Sequence, residues 1–298
     1  MSDDAVPPED DFQVAHFAGD PDPTGHYEGK VVGNYCVMHE IGRGGMGSIY
    51  LAQHKPLDHL VAIKFLDQRL TGDQVYVEMF LREGRAAAKL RHPGLVAVYD
   101  LGCYHQTTYF LVMEYVEGKD LHRQVKDHGP LEISRAADYI CQAADALGYA
   151  HKGHFVHRDV KPDNLILTPQ GQIKICDMGL AKRITDHGAI TQKGVILGSP
   201  NFLAPERLND AMKLDARADI YSLGATLYYL LTGSIPYEGS APVIMSKHLT
   251  AALPDPRKLR PDLPEALCHV VWKMMEKIPA ARYQVMEEVV EALAPFRK

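Results

Sequence analysis

The eight residues His157-Arg158-Asp159-Val160-Lys161-Pro162-Asp163-Asn164 constrain this chain more than any other stretch. They set a carboxylate, an ammonium group and a carboxamide close together in one loop. Asp159 is suited to orient an attacking hydroxyl and accept its proton. Lys161 can neutralise charge on a transferring phosphate. Asn164 can offer an oxygen to Mg²⁺, a hard cation that prefers oxygen ligands. Asp177-Met178-Gly179 follows a strand-like run at 172–176 and supplies a second oxygen site. A polar turn followed by an ordinary Asp-x-Gly turn is the bland alternative, and the order of the remaining motifs argues against it.

Gly42-Arg43-Gly44-Gly45-Met46-Gly47-Ser48-Ile49 joins two strand-like runs. Glycines let a backbone pass closely over phosphates, where a Cβ would collide. Alone, this spacing fits a dinucleotide site or a plain turn about as well. A dinucleotide fingerprint opens a helix, whereas residues 48–52 read as strand. Ser48, not lysine, follows Gly47, so a G-x-x-x-x-G-K-[ST] loop is excluded. Val61-Ala62-Ile63-Lys64 puts a lysine on an apolar strand, where it could also merely snorkel to the surface. In the helical segment that follows, Glu83 sits among Leu81, Ala86 and Leu90. A buried cation beside phosphate needs an anion to orient it, and Glu83 is the natural candidate. Together with the glycine loop, these residues point to nucleotide binding.

Strand-like runs at 37–41, 48–54 and 61–66 precede a helix over 75–90, which stops before His92-Pro93-Gly94. Two more strand-like runs follow, at 95–99 and 108–116, and then helical spacing over 134–152, 218–232 and 265–276. A mostly β part, 35–116, therefore precedes a mostly α part, 117–298, with a hinge at 114–118: an α+β fold of two lobes. Residues 1–32 are rich in Asp, Pro and Gly and read as a disordered acidic tail. Residues 1–30 hold eight acids and one lysine, more than the chain's whole net charge of −6. The remainder is close to neutral, which argues against a nucleic-acid or membrane partner. No apolar run is long enough to span a bilayer. The five cysteines are odd in number, scattered, and include no C-x-x-C pair, so a reducing, cytoplasmic setting fits. His151, His154 and His157 could suggest a zinc site, but His157 already has its place in the loop motif.

The order of glycine loop, V-A-I-K, H-R-D with its asparagine, D-x-G and Ala204-Pro205-Glu206 resembles the protein-kinase signature set over about residues 35–298. Leu111-Val112-Met113-Glu114-Tyr115-Val116 and Ala218-Asp219-Ile220-Tyr221-Ser222-Leu223-Gly224 make it most similar to bacterial Hanks-type serine/threonine kinases. The resemblance implies a two-lobed kinase fold, with a small antiparallel sheet and one helix before a larger helical lobe. It implies ATP and Mg²⁺ as cofactors, Ser/Thr-containing proteins as substrates, and a transient homodimer for autophosphorylation. Lys161 is the mark of Ser/Thr specificity. Lys64, Glu83, Asp159 and Lys161 would serve catalysis, and Asn164 and Asp177 the metal. Ile41, Gly42, Gly44, Gly47, Ile49, Ala62, Lys64, Met113, Glu114, Val116 and Asp120 would line the ATP site, with Met113 as gatekeeper and the backbone of Glu114 and Val116 on the adenine. Glu206 would pair with Arg282, and Asp219 would brace the catalytic loop. Thr191, with Arg158 and Lys182, would regulate the enzyme through autophosphorylation. Asp120 and Asp163 sit where related kinases attract basic residues near the target site.

Three positions depart from the family pattern: Met178 stands for the usual Phe, Phe202 for Tyr, and Ser199 for Thr. None removes a catalytic group. A flexible Met178 fills the same apolar slot and is expected to shift the balance of active and inactive forms. The alternatives are a pseudokinase scaffold, which should lack Lys64, Asp159 or Asp177, and a small-molecule kinase, which should lack A-P-E and Arg282. All of these residues are present.

Overall fold

The computed structural model describes residues 15–17, 26–105, 107–177, 200–208 and 214–297. The chain divides into two units: the described residues up to Arg85 together with Tyr99–Met113, and Ala86–Val98 together with the described residues from Glu114 onward.

The first unit is built on a seven-stranded sheet. Its strands are β1 (Ala15–Phe17), β2 (Val31–Val32), β3 (Tyr35–Gly44), β4 (Gly47–His54), β5 (His59–Leu66), β6 (Val98–Tyr104) and β7 (Thr108–Glu114), in the order β1-β6-β7-β5-β4-β3-β2. β1 pairs with β6 in parallel, and β2 to β5 form successive antiparallel pairs. Two helices follow β5, α1 (Gln68–Thr71) and α2 (Gln74–Ala88). The Asp73 carboxylate caps α2 by accepting from Val75 N at 3.0 Å. The helix ends two residues short of the expected 90, ahead of Pro93.

Side chains alternate across a strand, and β5 shows what this does here. Val61, Ile63 and Phe65 enter the sheet's aromatic core, so Ala62 and Lys64 share the opposite face. Ile49 of β4 pairs with Lys64 and therefore lies on that same face.

Within the expected tail, residues 26–32 belong to the ordered first unit. Tyr27 is only 3% exposed, stacks on Phe65 with ring centroids 3.8 Å apart, and meets Tyr50 edge-on at 5.8 Å. Burial of two aromatic rings fixes this segment despite its polar composition. Gly33-Asn34 turns β2 into β3, with Gly33 at φ 57°. β1 is a second paired segment within the presumed tail.

The second unit holds a three-stranded antiparallel sheet of β8 (Lys119–Asp120), β9 (Leu165–Leu167) and β10 (Ile173–Ile175). Its helices are α3 (Leu121–His128), α4 (Ile133–Lys152), α5 (Arg217–Thr232), α6 (Ala241–Thr250), α7 (Glu265–Met274) and α8 (Met286–Leu293). The patterns for α4, α5 and α7 were legible in the sequence. Helices α3, α6 and α8 were not; α3 and α8 span only eight residues each, too few to display a clear apolar period. α5 is mostly apolar and is buried from Ala218 to Thr232. The expected strand at 95–99 reduces to one bridge at Leu95, where Val96 N donates to Ile175 O and Ile175 N to Gly94 O, with strand pairing beginning at Val98. Among the described residues, no helix is long and apolar enough to cross a membrane.

The division falls after Met113, not after residue 116, and residues 86–98 join the second unit. Glu114 explains both differences. Its carboxylate accepts two hydrogen bonds from Lys174 (2.6 and 2.8 Å) and one from Ala97 N (3.2 Å), and its own N–H donates to Ala97 O at 2.8 Å.

Gly47 and Gly44 have different roles in the glycine loop. Gly47 has φ 149°, and a methyl group there would stand 1.8 Å from the carbonyl oxygen of Phe65. Gly44 would meet nothing within 4 Å. Gly47→Ala should therefore destabilise the fold by at least about 2 kcal/mol in urea unfolding, with Gly44→Ala close to wild type. Equal stability of the two variants would contradict this packing.

Candidate active site

The loop after α4 hangs on one carboxylate. Asp219, in the first turn of α5, is completely buried. Its Oδ2 accepts from His157 N and from His151 Nε2, each at 2.8 Å, and its Oδ1 accepts from Arg158 N at 2.8 Å. Burial alone would raise its pKa. The hydrogen bond and charge of His151, with the other loop donors, outweigh burial and hold it below the usual carboxylate value. The brace expected of Asp219 is present, with His151 as an addition. His151 occupies the last turn of α4, inside the run 134–152 expected to be helical.

His157 closes the next layer. Its Nδ1 accepts from Asp159 N at 3.1 Å, so the proton resides on Nε2, which donates to Cys176 O at 3.1 Å. The Cys176 N–H in turn donates to Asn164 O at 3.0 Å. The catalytic loop and the approach to Asp177 are thus joined directly. Arg158 (φ 66°) and Asp177 (φ 54°) both sit in the left-handed region, which few side chains occupy without support. His151 and His157 are therefore taken up by structural bonds, and no cluster of three or more metal-ligating side chains occurs among the described residues.

Asp159, Lys161 and Asn164 come together as expected. Lys161 Nζ lies 3.2 Å from Asp159 Oδ2. Asn164 Nδ2 donates to Asp159 O at 2.8 Å and to Oδ2 at 3.2 Å. This orientation leaves the Asn164 Oδ1 oxygen for a cation. Burial depresses the Lys161 pKa, but Asp159, Asp163 and Asp177 outweigh it and keep the ammonium above its usual value. Asn164 Oδ1 and the Asp177 carboxylate would offer a cation oxygen donors alone. Two protein oxygens suit Mg²⁺, which retains waters and phosphate oxygens instead of demanding a full protein cage.

Within the first unit, Gly42 of β3 pairs with Ile49, and Ile49 with Lys64. Lys64 is 8% exposed, and one Glu83 carboxylate oxygen on α2 is buried. Ile41 is 43% exposed, a large apolar side chain beside the glycine loop. Met113 is buried at the end of β7, and Val116 is half-buried. The Glu114 N–H is already bonded to Ala97, so only its carbonyl remains to meet a base. Asp120 caps α3 by accepting from Arg123 N at 2.7 Å, a structural task that the sequence reading missed. Met178, Lys182, Thr191 and Ser199 lie outside the described residues.

Residues 200–208 are pinned to the same unit. Glu206 and Arg282 form a buried bidentate pair at 2.6 and 2.8 Å, and Arg282 also donates to the carbonyls of Glu276, Arg217 and Lys277. Arg207 Nη1 donates to Arg158 O, beside Asp159. That contact was not legible in the sequence, because Arg207 follows the A-P-E motif without any pattern of its own.

A family model for the protein kinase domain matches residues 35–292. The chain is 39% identical over 268 residues to a probable serine/threonine-protein kinase of Clostridium acetobutylicum, covering 89% of this chain and 40% of that protein. It is 37% identical over 261 residues to the serine/threonine-protein kinase PrkC of Bacillus subtilis, covering 87% and 40%. Among solved structures, the PknI kinase domain of Mycobacterium tuberculosis superposes with a TM-score of 0.72 at 29% identity, covering 90% of this chain and 98% of that one. The chain belongs to the protein kinase domain family, and its relatives are bacterial Hanks-type kinases. It spans about 40% of the length of these curated relatives.

The Glu206–Arg282 pair yields a stability test. Arg282→Met strands a buried carboxylate and should cost about 3–5 kcal/mol in chemical denaturation. A cost below about 1 kcal/mol, the range of exposed pairs, would contradict this account.

Proposed function

We propose that this chain is a serine/threonine protein kinase that transfers the γ-phosphoryl group of ATP to serine or threonine hydroxyls of proteins, its own included. The observation that carries the reading is the Asp159–Lys161–Asn164 constellation on a braced loop. Asp159 orients the acceptor hydroxyl and takes its proton. Lys161, kept protonated by its acidic neighbours, offsets negative charge building on the phosphoryl oxygens. Asn164 Oδ1 and Asp177 would hold Mg²⁺, which when bound neutralises phosphate charge. Lys64, oriented by Glu83, positions the phosphates. Gly42, Gly44 and Gly47 provide the backbone that covers them.

Ile41, Ile49, Ala62 and Met113 offer apolar surface to the adenine. The Glu114 carbonyl and the backbone of Val116 offer hydrogen bonds to its edge, and Asp120 has one carboxylate oxygen beyond its capping bond. Asp120 and the exposed Asp163 would favour basic residues around the target site. A cytoplasmic setting and a transient homodimer for autophosphorylation complete the proposal. The first unit corresponds to the 35–116 lobe and the second to the 117–298 lobe, with the boundary moved to Glu114.

Asp159→Asn should keep the fold and ATP binding while lowering transfer by about 10²–10⁴-fold. Lys64→Met should also abolish transfer, through misplaced phosphates. Wild-type autophosphorylation by Asp159→Asn would refute the assigned roles.

The resemblance further assigns Thr191 as the principal activating site, because Lys193 occupies the place of a second threonine. A phosphate there carries about −1.5 to −2 charge and is suited to settle Arg158 and Lys182. Mass spectrometry after incubation with MgATP should find phosphate on Thr191, and Thr191→Ala should slow transfer to an added substrate. Full activity of Thr191→Ala, with no phosphate within 177–206, would show that the enzyme works without this switch.

A further inference from the structure

Behind the A-P-E residues lies a buried polar chain that the mechanism above does not use. Lys277 Nζ is 3.2 Å from Tyr221 Oη. Tyr221 Oη is 2.9 Å from His248 Nδ1, and His248 Nε2 is 3.1 Å from Asn201 O. Tyr221 belongs to α5 and His248 to α6, and both are fully buried. Asn201 lies in the short turn Pro200–Phe202.

The chemistry of the two ends fixes the direction of every bond between them. An ammonium group only donates, and a carbonyl oxygen only accepts. Tyr221 therefore accepts from Lys277 and donates to His248 Nδ1. His248 is left as the neutral tautomer with its proton on Nε2, donating to Asn201 O. Burial, helped by the nearby Lys277 charge, lowers the His248 pKa to about 4, so this tautomer persists at neutral pH. A second branch runs from Lys277 to Tyr237 Oη at 2.9 Å and on to Ala251 O at 3.0 Å, fixing the end of α6 from which His248 projects.

The target of this chain is informative. Asn201 opens the stretch that leads through Pro205 and Glu206 to Arg207. Six residues on, Arg207 donates to the carbonyl of Arg158, the neighbour of Asp159. An acceptor hydroxyl that reaches Asp159 brings its own polypeptide against this stretch. The stretch is held at Asn201 by His248, at Glu206 by Arg282 and at Arg207 by the catalytic loop.

We infer that His248 is a positioning residue for the protein acceptor: oriented by Tyr221 and Lys277, it holds the Pro200–Phe202 turn in the shape against which the acceptor segment docks. The inference rests on the kinase reading, and it separates acceptor binding from nucleotide binding. His248→Phe retains a ring and deletes both hydrogen bonds. Tyr221→Phe deletes only the oxygen that orients His248.

The test is steady-state phosphorylation of dephosphorylated casein by the full chain, paired with amide hydrogen exchange. Both variants should raise the KM for casein about tenfold and leave the KM for ATP within about twofold, as expected for the loss of one or two hydrogen bonds. Exchange should quicken within 200–208 and stay unchanged in α4. A casein KM equal to wild type, a parallel rise in the ATP KM, or unchanged exchange at 200–208 would overturn the inference. If His248→Phe does not fold, the single-oxygen Tyr221→Phe variant decides. A wild-type protein that transfers nothing to casein would refute the kinase reading itself, whereas an active wild type matched by both variants would refute this inference alone.

Discussion

A single carboxylate organises the second unit. Asp219 gathers two consecutive backbone N–H groups and one imidazole at 2.8 Å each. It can do so because it sits in the first turn of α5, where the helix favours negative charge. It stays in place because α5 is buried from Ala218 to Thr232. The rigid element here is therefore a core helix, and the loop is an attachment to it. Without such an anchor, residues 157–164 would be an ordinary surface loop with many accessible conformations.

From that anchor the order spreads outward in steps. His157 accepts from Asp159 N and donates to Cys176 O, so one ring orients both the loop and the segment leading to Asp177. Asn164 bonds back to Asp159, fixing which of its amide atoms remains for a cation. The left-handed conformations of Arg158 and Asp177 are held by this surrounding network. Their persistence at the two ends of the proposed chemistry fits preorganisation, in which polar groups are aimed before a substrate arrives. Lys161 fits the same scheme, since its acidic neighbours keep it charged despite burial.

The sequence disclosed the parts of this arrangement that chemistry fixes locally. The grouping of Asp159, Lys161 and Asn164 within one loop was legible, because a side chain can be replaced there only with loss of its function. Long apolar periods located α2, α4, α5 and α7. Contacts made across long separations were less accessible. Tyr27 looked like part of an acidic tail until Phe65 provided its partner. Gly47 was read as backbone covering phosphate, and the nearby carbonyl of Phe65 adds a separate steric need for glycine that its neighbours in sequence do not reveal. Glu114 was assigned to the first lobe because nothing nearby in sequence reveals Lys174 as its partner. His151 joined a spurious metal pattern because its true partner, Asp219, lies far along the chain.

The account's central claim is that the Asp219 carboxylate holds the loop ready for chemistry and has no direct part in binding nucleotide. Asp219→Asn tests it most directly. The substitution keeps the shape of the side chain but replaces an acceptor oxygen with a donor facing one of its three N–H partners. Equilibrium binding of ATP and the turnover number for acceptor phosphorylation should be measured on the same folded preparation. The account predicts turnover reduced by about a hundredfold through misplacement of Asp159, with ATP affinity nearly unchanged. Turnover equal to wild type would contradict it, as would a loss explained wholly by weaker ATP binding.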